Sequence, residues 1–151
     1  MEVPSSWVDA STLRDVPDHQ EVYVDGTGEA SVILEILEYQ SQIPDEKAGR
    51  FFFTDLAEAD GSINSEIRSS IVVGKREFLG TRAVVCITKG TQTKGKSGPS
   101  AVEVGMAVFR AKKFKSDILV TLHSMPGQAG VDDLFDRIAD SVEFLDVGLF
   151  V

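Results

Sequence analysis

The chain has 151 residues, 42% hydrophobic and 26% charged, the balance of a soluble globular protein, and its length predicts a single domain over 1–151. One cysteine, Cys86, excludes an internal disulfide and suits a reducing compartment. The opening Met1-Glu2-Val3-Pro4-Ser5-Ser6-Trp7 has neither the basic start nor the apolar run of a signal peptide, and no stretch approaches the ~18 apolar residues of a membrane helix.

The net charge of −9 is unevenly spread. Residues 1–66 hold 15 acids and 3 bases, residues 67–118 hold 3 acids and 11 bases, and residues 119–151 hold 6 acids and 1 base. An acidic face that steers toward a basic partner accounts for this, as does a set of acidic helices over a sheet with basic strand ends. A pI near 4.6 argues against nucleic acid as the main partner.

In chain order, Asp9–Arg14 reads as one helical turn that Asp9 or Ser11 can cap. Pro17 ends it and holds Val16 extended. Gln20–Val24 alternates as a half-buried strand does, and Asp25-Gly26-Thr27-Gly28 is turn chemistry. Val32, Ile33, Ile36 and Leu37 are two apolar pairs four residues apart, which predicts a helix from Val32 to about Gln40, capped by Ser31. On that helix Leu34, Glu35 and Glu38 share the outer arc.

Pro44 breaks the segment. Asp45–Ala59 reads as a second helix, although Phe51-Phe52-Phe53 also suits a strand. Ser65–Val73, Glu77–Phe78 and Arg82–Thr88 read as strands, Lys89–Ser100 as a polar loop, and Val102–Arg110 with Asp117–Ser124 as a hairpin. Val131, Leu134, Phe135, Ile138, Ala139 and Val142 define the apolar face of a last helix. The layout is α+β, a twisted antiparallel sheet flanked by helices.

Few residues suggest chemistry. Gly90-Thr91-Gln92-Thr93-Lys94-Gly95-Lys96-Ser97 fits the phosphate-loop string, but that mechanism needs a helix to follow, and Gly98-Pro99 and a β-pattern follow instead. A nucleotide-binding protein using residues 90–97 is therefore the alternative reading, and a solvated loop is preferred. Cys86, inside Val84-Val85-Cys86-Ile87, reads as a buried small hydrophobe rather than a nucleophile. His19 and His123 are the only histidines, and no ligand spacing fits zinc or calcium, so neither metal nor cofactor is expected. Trp7 is either an anchor on the core or an interface aromatic. By pattern alone, Glu35 and Glu38 are a solvated helix face.

Val8-Asp9-Ala10-Ser11-Thr12-Leu13-Arg14-Asp15-Val16-Pro17-Asp18-His19-Gln20-Glu21-Val22-Tyr23-Val24 resembles the signature of the Ran guanine nucleotide release factor (Mog) family, whose pattern is similar to F-I-D-A-S-x-L-R-x-V-P-D-x-Q-E-V. Ser31–Glu38, Gly105–Arg110, Asp117–Thr121 and Asp146–Phe150 resemble the family's later motifs, in the same order. Family members usually open with a strand of the type L-[YF]-G-G-A, which this sequence does not show. The resemblance implies a PsbP-like fold and a monomeric, non-enzymatic protein of nucleus and cytoplasm. It implies binding to the GTPase Ran, nucleotide release and a role in nuclear import, with further transport factors as candidate partners and neither nucleic acid nor membrane among them. A PsbP-like structural subunit would share the fold. The family's acidic pair maps onto Glu35 and Glu38, with Leu34 beside them, and its V-P-D-x-Q-E-V loop brings in Asp18, Gln20 and Glu21. This resemblance moves the two glutamates from solvated surface to expected Ran-binding site.

Overall fold

A computed structural model describes residues 1–95 and 100–143. Its strands are β1 (Val8–Asp9), β2 (Gln20–Val24), β3 (Ser31–Glu38), β4 (Ser62–Phe78), β5 (Thr81–Lys94), β6 (Ser100–Ala111) and β7 (Ser116–Ser124). They form one sheet in the order β1-β2-β3-β7-β6-β5-β4, and every neighbouring pair is antiparallel. The helices are α1 (Asp45–Ala59) and α2 (Val131–Asp140).

Strand alternation gives the sheet two apolar faces. On one side Val32, Leu34, Ile118, Val120, Leu122, Ala107, Phe109 and Val85 pack with Phe135, Ile138 and Ala139 of α2. On the other, Leu119, Val104, Met106, Val108 and Cys86 pack with Ala48, Phe52 and Phe53 of α1. Each fully buried Phe or Ile side chain contributes on the order of 1.5–3 kcal/mol. Gly105 is needed beneath α2, because a Cβ there would lie 3.0 Å from the Phe135 ring.

The chief correction concerns residues 32–40, where the expected helix is instead β3, Ser31–Glu38. Val22 and Val24 flank it on β2, while Ile118, Val120 and Leu122 flank it on β7. Being interior to the sheet, β3 carries apolar residues on both faces, so its pattern is nearly continuous rather than alternating. Two adjacent apolar pairs then imitate a helical stripe. The β-branched Val32, Ile33 and Ile36 are the residues that favour a strand.

Other expectations hold or extend. Asp9 caps a 3-10 turn, Ala10–Thr12, by accepting a hydrogen bond from the Ser11 N–H at 2.9 Å. That hydrogen bond holds the Asp9 carboxyl below the usual carboxylate range. Asp45–Ala59 is helical throughout, so the strand option at Phe51–Phe53 falls away. The strands read as Ser65–Val73 and Glu77–Phe78 are one, β4, continuous through bulges between Ile67 and Ser69 and between Val72 and Gly74. The loop expected over Lys89–Ser100 is mostly strand, since β5 runs on to Lys94. Trp7 packs on the α2-side core, as an anchor does. The Asp146–Phe150 ending, and Lys96 and Ser97, lie outside the described residues.

Candidate protein-binding surface

Gln20 and Glu35 are register partners across β2 and β3, so their side chains leave the sheet together. The Gln20 Nε2 amide donates to Glu35 Oε2 at 3.0 Å. His19 Nε2 stands 3.7 Å from Glu35 Oε1, and the His19 carbonyl accepts from the Ile36 N–H at 3.0 Å. Pro17 sets this up: its carbonyl accepts from the Gln20 N–H at 2.9 Å, turning the chain into β2 with Asp18 and His19 exposed at the bend.

The strand changes the geometry of the predicted site. Glu35 and Glu38 are three apart, so on β3 they project from opposite faces. Glu35 shares the α1 side with Ile33 and Leu37, whereas Glu38 shares the α2 side with Leu34 and Ile36. Leu34, expected as an exposed apolar spot, is 9% exposed and belongs to the core. Glu21 lies opposite Leu34 and is exposed on the α2 side, away from Gln20. The structure thus brings together Gln20, Glu35 and His19, leaves Asp18 at the neighbouring bend, and sets Glu21 and Glu38 across the sheet.

What reunites the two glutamates is an edge. Pairing from β2 ends at Gln20, and among the described residues only β7 holds β3 past Ile36, through Leu37–Asp117 and Glu38–Ser116. The end of β3 is therefore bordered on one side by a free edge, with Glu35 just inside it on one face and Glu38 on the other.

A buried ion pair, missed in the sequence, fixes the chain that leaves this edge. Arg110 is 2% exposed and Asp117 is 0% exposed. Arg110 Nε donates to Asp117 Oδ1 at 3.0 Å, Nη1 to the Ile43 carbonyl at 2.6 Å and to Asp45 Oδ1 at 3.1 Å, and Nη2 to the Gln40 carbonyl at 2.7 Å. Asp117 Oδ2 accepts from the Gln40 N–H at 3.0 Å, and the guanidinium lies 4.6 Å from the centre of the Tyr39 ring. Burial works to lower the Arg110 pKa, but hydrogen bonding to Asp117 and that carboxylate's charge outweigh it, and the net direction is upward. The signal available was an arginine inside the apolar run Val108-Phe109-Arg110-Ala111.

The rival chemistries find no support here. Gly90–Lys94 is strand rather than phosphate loop, with Gln92 Nε2 donating to the Phe53 carbonyl at 3.0 Å and Thr91 hydrogen-bonded to Glu103. Cys86 is buried with its thiol donating to the Asp45 carbonyl at 3.2 Å, and burial followed by the Asp45 charge pushes its pKa up to about 11. Among the described residues no helix is long and apolar enough to cross a membrane.

The sheet thus lies between two helices, and the Glu35 and Glu38 carboxylates stand on its two faces at the end of β3. The chain belongs to the family of the Ran-interacting Mog1 protein, whose family model matches residues 1–125. It is 35% identical to the Ran guanine nucleotide release factor of Danio rerio, over 97% of this chain and 92% of that protein. It is 29% identical to the nuclear import protein MOG1 of Saccharomyces cerevisiae, over 80% of this chain and 59% of that protein. The crystal structure of the Saccharomyces cerevisiae Ran-binding protein Mog1p superposes with a TM-score of 0.73 at 24% identity, covering 99% and 91% of the two chains. A cyanobacterial PsbP from Synechocystis superposes at 0.63 with 18% identity, covering 91% and 81%, which shows the same PsbP-like fold.

Proposed function

We propose that this chain binds the small GTPase Ran, promotes release of its guanine nucleotide and supports nuclear protein import, working between nucleus and cytoplasm as a binding protein rather than an enzyme. The observation that carries the reading is the family match over residues 1–125, reinforced by relatives named for nucleotide release and for nuclear import. A binder shifts an equilibrium only by its differential affinity. Release therefore requires that the chain hold nucleotide-free Ran more tightly than loaded Ran.

The carboxylate edge of β3 is the surface assigned to this contact. Glu35, oriented by Gln20, meets basic groups on one side of the edge, and Glu38 meets them on the other, with Asp18 and Glu21 as rim contacts. Leu34 supports both glutamates from within the core and does not touch the partner. The test is capture of Ran in GTP-loaded, GDP-loaded and empty forms, together with fluorescent-nucleotide release, on wild type and on the Glu35→Lys, Glu38→Lys double variant. Tightest capture of empty Ran by wild type, and loss of capture and release in a double variant with an unchanged circular dichroism spectrum, are expected. Wild-type activity in the double variant would remove the site assignment.

A further inference from the structure

The hairpin end of the sheet is basic, and among the described residues five of its cations have no ion-pair partner. The 3-10 turn Lys112–Phe114 and Lys115 join β6 to β7, and the bend at Leu79-Gly80 joins β4 to β5 at the same end. Pairing sets Lys75 opposite Val84 and Val84 opposite Arg110, which places Lys75, Arg82, Lys112, Lys113 and Lys115 along one rim. All five are exposed. Elsewhere on the sheet Arg68 pairs with Glu103, Lys89 with Asp132 and Asp136, Lys94 with Asp60, and Arg110 with Asp117, while Arg76 donates to the carbonyls of Ala139 and Asp140. Among the described residues none of the five rim cations has such a partner, although Glu77 stands opposite Arg82 in register.

Lys115 adds a second observation. It adopts a left-handed conformation, φ 53° and ψ 36°, where glycine is the residue without steric cost. Its backbone is tied on both sides, the N–H donating to the Lys112 carbonyl and the carbonyl accepting from the Tyr39 N–H, each at 3.0 Å. A lysine held in a glycine position puts a cation at the rim, one residue from Ser116, the register partner of Glu38.

We propose that this rim, centred on Lys112, Lys113 and Lys115, is a docking surface for a short acidic polypeptide segment. Five cations with no ion-pair partner among the described residues supply the complementary charge. A nucleic acid duplex or an anionic bilayer is long and stiff, and would be brought against Glu38, Glu77 and the rest of a chain with net charge −9, whereas a short flexible segment reaches the lysines alone. The apolar residues at the two turns, Leu79 and Phe114, are partly buried against the α2-side core.

The experiment is fluorescence anisotropy of a labelled glutamate-rich peptide with the intact protein, at several salt concentrations, beside a labelled uridine-rich RNA and phosphatidylserine vesicles. The Lys112→Glu, Lys113→Glu double variant is expected to weaken peptide binding by on the order of tenfold or more. Arg50→Glu with Arg137→Glu, which makes the same charge change on the helices, leaves it within about twofold. Lys115→Gly discriminates further: it is expected to raise the thermal midpoint by relieving the backbone while weakening the peptide. Equal loss in the helix variant, no loss in the lysine variant, or tighter binding of the RNA or the vesicles than of the peptide would each overturn the proposal.

Discussion

Removing the guanidinium of Arg110 tests the frame that carries the β3 edge. In Arg110→Met the stem volume is largely kept, so packing changes little. What changes is that Asp117, 0% exposed, keeps only the Gln40 N–H as a hydrogen-bond donor, while the Ile43 carbonyl loses its guanidinium donor and the Gln40 carbonyl is left with the Ile43 N–H alone. Breaking a buried pair from one side costs about 3–5 kcal/mol, because an uncompensated charge remains. That is a large share of the roughly 5–15 kcal/mol that holds a domain together. With a urea slope of about 1–3 kcal/mol/M, the midpoint should fall by about 2 M. Arg110→Met combined with Asp117→Leu removes both charges and should recover much of the loss. Equilibrium urea unfolding followed by tryptophan fluorescence reads all three proteins. A midpoint that moves by less than ~0.5 M in the single variant, or a double variant no more stable than the single, would refute the account of Arg110–Asp117 as a buried pair whose break strands a charge.

Two further predictions concern the sheet. Gly90→Ala would set a Cβ 2.1 Å from the Glu66 carbonyl oxygen and 2.8 Å from the Phe53 ring, so β4 must move, and a cost of about 1–3 kcal/mol in urea unfolding is expected. His123 is half-buried on β7, and burial first, then nearby Lys94, depress its pKa below the ordinary 6.5 although Asp60 pulls the other way. The unfolded chain thus binds this proton more readily than the folded one. Its contribution is present above about pH 6.5 and is lost as pH falls through the folded value, so stability should decline on acidification and His123→Gln should flatten that slope.

How legible the molecule was depends on which faces are covered. Asp45–Ala59 and Val131–Asp140 each lie on one side of the sheet, so their 3.6-residue periods survive in the sequence. Gln20–Val24 lies near the sheet margin and alternates. Residues 31–38 run between two strands with apolar groups on both faces, and there period ceased to distinguish helix from strand. Length and β-branching were the better guides, since eight residues rich in Val and Ile is a strand's size. Reading them as a strand moves Leu34 from the surface into the core and sets Glu35 and Glu38 on opposite faces. Spacing of three joins two carboxylates on a helix and separates them on a strand. Arg110, by contrast, was visible only as an oddity, because a buried partner such as Asp117 is brought to it by hairpin register rather than by local pattern.

The opposite-face placement of Glu35 and Glu38 bears on how a partner can approach. A surface laid flat on either face of the sheet would meet one carboxylate and miss the other. A surface that meets the free border past Ile36 edge-on reaches both, and it also meets Asp18 at the bend that ends β2 pairing. Charged side chains suit such a border, since they discourage strand addition by other copies while offering themselves to a basic partner. On this reasoning Glu35→Lys and Glu38→Lys should each weaken Ran binding, by on the order of tenfold, and the double variant should lose about the sum of the two free energies. Titration calorimetry with nucleotide-free Ran measures all three. If one single variant reproduced the whole loss and the other bound as wild type, the approach would be face-on, and the edge geometry drawn from the end of β3 would be wrong.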